Sequence, residues 1–541
     1  MAETTGPDAN ERPDQRAIPR DYLPGLRENW RSDLVSGFVI FLLAVPLSLG
    51  IALASGVPPF AGIITAIVGG IIVSLTSGSH VTINGPAAGL IVIVLGAVEG
   101  LGEGDAEAGY RLALAVGVVA GALQIVCGLL RAGKITSFFP LSVVHGMLAG
   151  IGVIIMSRQI HVALGVEGVG GHGLHPILEI PHSIGELEPE VALIGLVSIL
   201  IMIFWPMFKA AARFVPAPLA AAAAGVLLGV AFDLEENFLI ALPDSFADGF
   251  VSPDFSRILE VESFRWIVAF LFVASLESLL TASAVDKLDP WKRRSNMNRE
   301  FLGKGSGNMI SCMIGGLPMI AEVVRSTANI LNGARTRWSN FFHGMFVLLF
   351  VAALPGVLEM IPLAALAGIL VVVGWKLFNP AQFVEAWRIG REEFLFMVVT
   401  IAIVVYRDLL EGVIAGIIVG LIVTLVRGTR LGNLFRPTVQ ILGDKDSDEV
   451  VVKFGRKLGF TNFVGVRTKL DELPPGKTVV LDFTDVERID HTVVERVHDF
   501  EEEYEREGGH VVRRGIDHLE SATEHPFSAL IPRRSVPSHS V

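Results

Sequence analysis

From Asp33 to Gly428 the chain repeats apolar runs separated by short polar turns, and runs of about 17–25 residues are long enough to cross a bilayer as helix. Fourteen spans are predicted. The first seven are Asp33–Gly56, Phe60–Ser77, Thr82–Val98, Arg111–Leu130, Phe139–Leu164, Val191–Phe208 and Pro216–Asp233. The second seven are Phe264–Val285, Glu300–Ile314, Pro318–Asn332, Trp338–Leu354, Ile361–Leu377, Phe394–Tyr406 and Gly412–Arg427. Two of them are interrupted. Val81-Thr-Ile-Asn-Gly-Pro-Ala-Ala-Gly89 and Gly315-Gly-Leu-Pro-Met-Ile-Ala-Glu-Val-Val-Arg325 each read as an extended stretch feeding a short helix. Extended backbone at bilayer depth persists only where protein or a wet cavity satisfies its polar groups. One broken segment in each half points to a binding site near the midplane, and helix N-termini there favour an anion.

After Arg436 the pattern changes. Glu449–Phe454, Lys477–Phe483 and His510–Arg514 read as strands. Thr461–Leu473, with Thr461 as N-cap, and His491–Glu507, closed by Gly508-Gly509, read as helices. Alternating strands and helices predict a small α/β domain. The expected organisation is an N-terminal cytoplasmic segment (1–32), a helical polytopic membrane part (33–428), an α/β domain (437–525) and an unstructured Pro/Ser/Arg-rich tail (526–541).

Composition supports a membrane protein: 51% of residues are hydrophobic and only 18% charged. The first 32 residues hold no apolar core of a signal peptide. Loop charge fixes an orientation. With the N-terminus inside, the inner loops carry Arg131 and Lys134, Lys209 and Arg213, Lys287 to Arg299, Arg335 and Arg337, and Arg388 and Arg391. The outer loops hold almost no Lys or Arg; only Arg257, Arg265 and Arg407 depart. That bias places both termini in the cytoplasm. Trp30, Trp266 and Trp338 sit near span ends, as interfacial anchors do. Cys127 and Cys312 lie in apolar spans and read as packing residues. There is no metal-ligand cluster, catalytic triad or nucleotide loop, so neither an enzyme, a cofactor nor a nucleic-acid partner is expected.

Several motifs carry a family resemblance. They are Asp33-Leu-Val-Ser-Gly37 with Pro46, Asn84-Gly-Pro-Ala-Ala-Gly89, Ser275-Leu-Glu-Ser-Leu-Leu280, Asn298-Arg-Glu300 with Gly303-Lys-Gly305 and Asn308, and Gly315-Gly-Leu-Pro318 with Arg325-Ser326 and Asn329. Together they resemble the sulfate permease (SulP) family, solute carrier family 26, over nearly the whole chain. The tail resembles that family's STAS domain. The resemblance implies two inverted repeats of seven spans, split into core and gate domains and often dimeric, in the cytoplasmic membrane. It implies transport of sulfate, bicarbonate, chloride, oxalate or dicarboxylates. The chain departs from the family at Leu47, where a Gln commonly follows the proline, leaving Pro46 as the first-span site residue. It departs again at His491, where anti-anti-sigma-like STAS domains place a phosphorylatable Ser after the Asp.

The candidate anion site comprises Pro46, Ala87, Ala88, Gly89, Met319, Ile320, Ala321 and Arg325. Ala87–Gly89 would open one half-helix and Pro318–Ala321 the other. Small residues there admit an anion to backbone N–H groups, or simply permit close helix packing. Arg325 offers a permanent charge; the plainer reading is an arginine snorkelling to the interface. Glu277 lies mid-span, where acids are functional candidates. Thr281, one turn on, shares its face and could complete an oxygen site for Na⁺; the acid could instead carry H⁺, or bridge helices structurally. Glu322 is unexpected, because most family members would place a small residue there. It either pairs with Arg325 or takes a proton. With all three ionised, Glu277, Glu322 and Arg325 hold one net negative charge, which opposes an anion until a cation binds. His145 and His343 read as hydrogen-bonded packing residues. The expected activity is cation-linked anion transport, with an uncoupled channel or exchanger as the alternative.

Overall fold

The computed structural model describes residues 18–133, 140–166, 173–212, 214–426, 439–442, 448–506 and 508–533. Lys134, Arg213, the expected 428–437 boundary and residues 534–541 of the expected tail lie outside them. Fourteen helices follow the predicted spans: α1 (Tyr22–Ala54), α2 (Pro59–Val68), α3 (Ile91–Gly102), α4 (Ala106–Leu129), α5 (Leu141–Ala163), α6 (Pro189–Phe204), α7 (Ala217–Ala231), α8 (Val261–Leu288), α9 (Met297–Met313), α10 (Val323–Leu331), α11 (Trp338–Ala353), α12 (Leu363–Phe378), α13 (Arg391–Tyr406) and α14 (Leu409–Val426). Among the described residues, eight helical segments are long and apolar enough to cross a membrane.

The described residues form two compact units. One contains those within 18–90, 94–130 and 200–362; the other contains those within 91–93, 131–199 and 363–533. In the first, α4 lies along α9, and α1 along α11. Helix α1 begins eleven residues before the predicted span, because its polar first turns dock on the segment before α11. Buried Asp33 accepts hydrogen bonds from the Arg335 and Thr336 amides (2.8 and 3.1 Å) and from Thr336 Oγ1 (2.5 Å). Helix α2 continues through a π-turn, Gly69–Val73, to Thr76. A π-turn displaces a carbonyl from the regular ladder, and Asn340 Nδ2 donates to Gly69 O at 2.9 Å.

The two interrupted spans hold strands β1 (Asn84–Gly85) and β2 (Ile320–Ala321). Here the predicted boundaries need correction. The tenth-span half-helix starts at Val323, not Pro318, and the third-span helix starts at Ile91 after a 3₁₀ turn over Ala88–Leu90. Residues 319–321 stay extended because neighbouring helices satisfy their amides: Met319 N donates to Asn308 Oδ1 (2.7 Å) and Ala321 N to Ser278 Oγ (3.4 Å).

In the second unit α5 packs on α12 and α13, and α13 on α14. The C-terminal region carries β3 (Val439–Leu442), β4 (Glu449–Phe454), β5 (Lys457–Leu458), α15 (Phe460–Leu470), β6 (Thr478–Asp482), β7 (Arg488–Ile489), α16 (His491–Arg506), β8 (His510–Arg514), β9 (Leu519–Ser521) and β10 (Leu530–Pro532). The main sheet runs β3-β4-β6-β8, parallel except for β3–β4; a second runs β5-β7-β10-β9. Val452, Phe454, Phe463, Val479, Leu481 and Val493 are among the side chains of its core. Thr461 is not the N-cap of α15. Gly459 is, and its amide donates to Asn462 Oδ1 at 3.1 Å. Strand β10 also falls within the stretch expected to be unstructured, where Leu530 and Ile531 pair with β9.

Candidate functional site

The broken segments meet. Strands β1 and β2 pair antiparallel, with Asn84 opposite Ala321 and Gly85 opposite Ile320. The pairing continues into the half-helix: Glu322 N donates to Ile83 O (2.9 Å), and Ile83 N to Ser326 Oγ (2.9 Å). Asn329, one turn further along α10, donates to Val81 O (2.9 Å) and Ser339 Oγ (2.8 Å), and its own Oδ1 accepts from Ser36 Oγ (2.7 Å). The irregular backbone is thus tied to buried side chains on α1, α10 and α11, as a non-helical segment at membrane depth requires.

Arg325 is fully buried at the third residue of α10. Its Nη2 donates to Pro86 O at 3.4 Å, while Nε and Nη1 have no protein partner. A Cβ on Gly85 would lie 2.8 Å from Nη1, so the bare glycine admits the guanidinium. The interface-anchor reading of Arg325 fails on this burial. Across β1, the Glu277 carboxylate lies against Gly89, where an added Cβ would fall 2.2 Å from Oε2. Glu277 is 8% exposed, and its Oε1 has no protein partner. Thr281 is buried one turn further along α8.

The expected Glu322–Arg325 ion pair is not formed. Glu322 Oε1 is buried without a partner, and no contact within ion-pair distance joins the two among the described residues. The cause lies in the backbone: Glu322 is the N-cap, with extended φ/ψ of −98°/117°, so the two side chains do not share a helical face as spacing three would require. His343 needs a similar correction. It is fully buried, but neither ring nitrogen has a hydrogen-bond partner. It lies on α11 three residues after Asn340, which approaches the Asn84 amide (3.4 Å).

Ala87, Met319, Ile320 and Ala321 are buried at the junction, and Ala88 is half-buried. Glu322 is also half-buried, and Val323 and Val324 are exposed. Pro46 is buried inside α1, and no described hydrogen bond ties it to β1 or β2. His145 is half-buried on α5 in the other unit.

Two supports escaped the sequence reading. Lys304 and Glu300, one turn apart on α9, form a buried ion pair (2.6 Å). Lys304 also donates to Asn84 Oδ1, and Glu300 accepts from Ser77 Oγ (2.5 Å), Gly78 N (2.9 Å) and Ser79 N (3.2 Å). The pair clamps the approach to β1. Gln124 does the same for β2: it donates to Ser275 Oγ (3.0 Å) and accepts from Asn308 Nδ2 (2.7 Å), whose Oδ1 holds Met319 N. The i,i+4 acid–base spacing on α9 was the available signal for the first clamp.

The sulfate permease family profile matches residues 30–400. YvdB of Bacillus subtilis is 29% identical over 393 residues, covering 71% of this chain and 72% of its own. The bicarbonate transporter BicA of Picosynechococcus sp. is 28% identical over 428 residues, covering 78% of this chain and 74% of its own. Among solved structures, the transmembrane domain of a cyanobacterium bicarbonate transporter BicA aligns with a TM-score of 0.64 at 25% identity, covering 73% of this chain and 97% of that one.

Proposed function

Because this chain belongs to the sulfate permease family, a family of multi-pass membrane transporters and not of enzymes, we propose that it moves a small oxyanion, bicarbonate or sulfate, across the cytoplasmic membrane by secondary-active transport linked to H⁺ or Na⁺. One observation carries the reading: a fully buried arginine with two unpartnered nitrogens lies at the start of a half-helix. An isolated buried charge is destabilising by several kcal/mol unless paired, and a bound anion supplies the missing partner. The half-helix N-terminus at Val323 adds to that attraction.

Glu277 supports the coupling. Its open Oε1 adds negative charge beside the anion's place. A cation on Glu277, with Thr281 as a further oxygen ligand for Na⁺ or with H⁺ alone, removes that conflict. Cation and anion then bind with positive, reciprocal cooperativity. Glu322 offers a second carboxylate for a proton. The positive loops support a cytoplasmic position for both termini, and we assign the C-terminal α/β region to a STAS domain of a homodimer.

The test is counterflow in proteoliposomes with sulfate, bicarbonate, chloride, fumarate and succinate, each with and without Na⁺ or a pH gradient. Saturable uptake of bicarbonate or sulfate that follows a cation gradient is expected. Flux that ignores both gradients and does not saturate would establish a channel instead.

A further inference from the structure

Among the polar atoms left open at the junction, Arg325 Nε and Nη1 and Asn84 Nδ2 are donors, and Glu277 Oε1 and Glu322 Oε1 are acceptors. Sulfate at neutral pH presents acceptors only. It satisfies the donors and leaves two carboxylates facing a dianion. Hydrogencarbonate presents acceptors and one hydroxyl donor in a monoanion. Resting on the transport reading above, we infer that Glu322 is a specificity-determining residue. Its carboxylate accepts the hydroxyl of a monoprotonated oxyanion and rejects a fully deprotonated one.

The backbone holds Glu322 in position for this. Its amide is fixed to Ile83 O (2.9 Å), and its carbonyl accepts from Ser326 N (2.9 Å), so the carboxylate projects from a pinned N-cap. Glu322 is half-buried with its Oε1 enclosed, and Arg325 and Glu277 are buried. Glu322 caps the half-helix whose third residue is Arg325, so an anion held by Arg325 sits at the helix end that carries Glu322. Charge counting gives the same order of preference. Among the described residues, the charged groups that act on Glu322 are Arg325 on α10 and Glu277 on α8; the buried Lys304–Glu300 pair lies on α9, and the buried His343 on α11. The α9 pair is internally neutral, so the remaining charges hold one net negative charge. A cation at Glu277 cancels it, and a monoanion then leaves a single charge where a dianion leaves two. Sulfate becomes acceptable when Glu322 itself takes a proton and turns from acceptor to donor.

The experiment is competition against labelled hydrogencarbonate uptake in proteoliposomes at about pH 8, where that anion is the main form, with formate, nitrate and sulfate as competitors. Formate and nitrate are monoanions without a hydroxyl donor, so they separate the hydroxyl from the charge. A site built to bind a hydroxyl discriminates strongly against ligands lacking it, so wild type is expected to prefer hydrogencarbonate to each competitor by at least about tenfold. Glu322→Gln is expected to bring sulfate at least about tenfold closer to hydrogencarbonate, while Glu322→Asp keeps the preference. In a separate assay, wild-type uptake of labelled sulfate should rise as the pH falls, and Glu322→Gln should flatten that rise. Transport of anions with the same hydrogencarbonate-to-sulfate ratio in wild type and Glu322→Gln would overturn the role of Glu322 and leave the transport reading standing. Wild-type protein that carries none of these anions would overturn both.

Discussion

Glu300 and Glu277 are buried acids in the same unit, each beside the segment that leads to β1 or follows it, and they are treated differently. Glu300 receives a lysine, a hydroxyl and two amides. Glu277 receives none of these at Oε1 and faces the bare side of Gly89. Burial alone does not separate an acid that holds a fold from one that works in it; the difference lies in whether the surrounding protein completes its hydrogen bonds. A completed acid is already at its electrostatic minimum and gains nothing from a ligand. An incomplete one keeps a desolvated charge that a bound cation would compensate. Arg325 and Lys304 repeat the contrast among the bases: Lys304 is saturated by Glu300 and Asn84, whereas Arg325 has two open nitrogens.

The contrast breaks most sharply on the saturated side. Removing one partner of a buried pair leaves an uncompensated charge, so Lys304→Met should destabilise the protein by about 3–5 kcal/mol. The loss should appear in detergent thermal unfolding. Lys304→Met with Glu300→Gln should recover much of it. A single variant as stable as wild type would mean that the α9 pair is not a clamp.

On the open side the loss should fall on binding. Arg325→Ala removes a charged donor, and hydrogen bonds to charged groups are worth about 1.5–3 kcal/mol. Anion affinity in detergent calorimetry should therefore drop by one to two decades, with unfolding temperature unchanged or raised. Unchanged affinity would place the anion elsewhere.

An intermediate case sharpens the comparison. Asp21, at the entrance of α1, is partly buried and accepts from His80 Nδ1 and Arg337 Nη2, both at 2.9 Å. Burial pushes its carboxyl up, but the hydrogen bonds from His80 and Arg337 and their charges outweigh this and hold it below the ordinary value of 3.8. A depressed carboxyl contributes stability that is complete above its unfolded value and lost as pH falls through the folded one. Asp21→Asn should cost about 1 kcal/mol near neutral pH, and the difference from wild type should shrink below about pH 4. A difference that stayed constant into acid would assign the loss to packing.

The succession of apolar helices was legible in the sequence, because span length is a bulk property of a membrane chain. The two extended segments were legible from Asn84-Gly-Pro86 and Gly315-Gly-Leu-Pro318. Their pairing was not, since a two-residue strand carries no register signal. The start of α10 was misplaced for a similar reason: Pro318 resembles a helix opening, but Asn308 and Ser278, on other helices, decide that residues 319–321 stay extended. The spacing of Glu322 from Arg325 allowed a salt bridge as one of two readings, and the extended N-cap backbone removed that one. The open nitrogens of His343 left no trace in the pattern, because a buried histidine with partners and one without have the same neighbours in sequence.

The most direct test is Glu277→Gln in proteoliposomes. The amide keeps the shape of the acid and removes its charge. Anion counterflow should persist, while accumulation driven by an H⁺ or Na⁺ gradient should be lost. Accumulation against the anion gradient with wild-type cation dependence would contradict the assignment of Glu277 as the point where the two ions are linked.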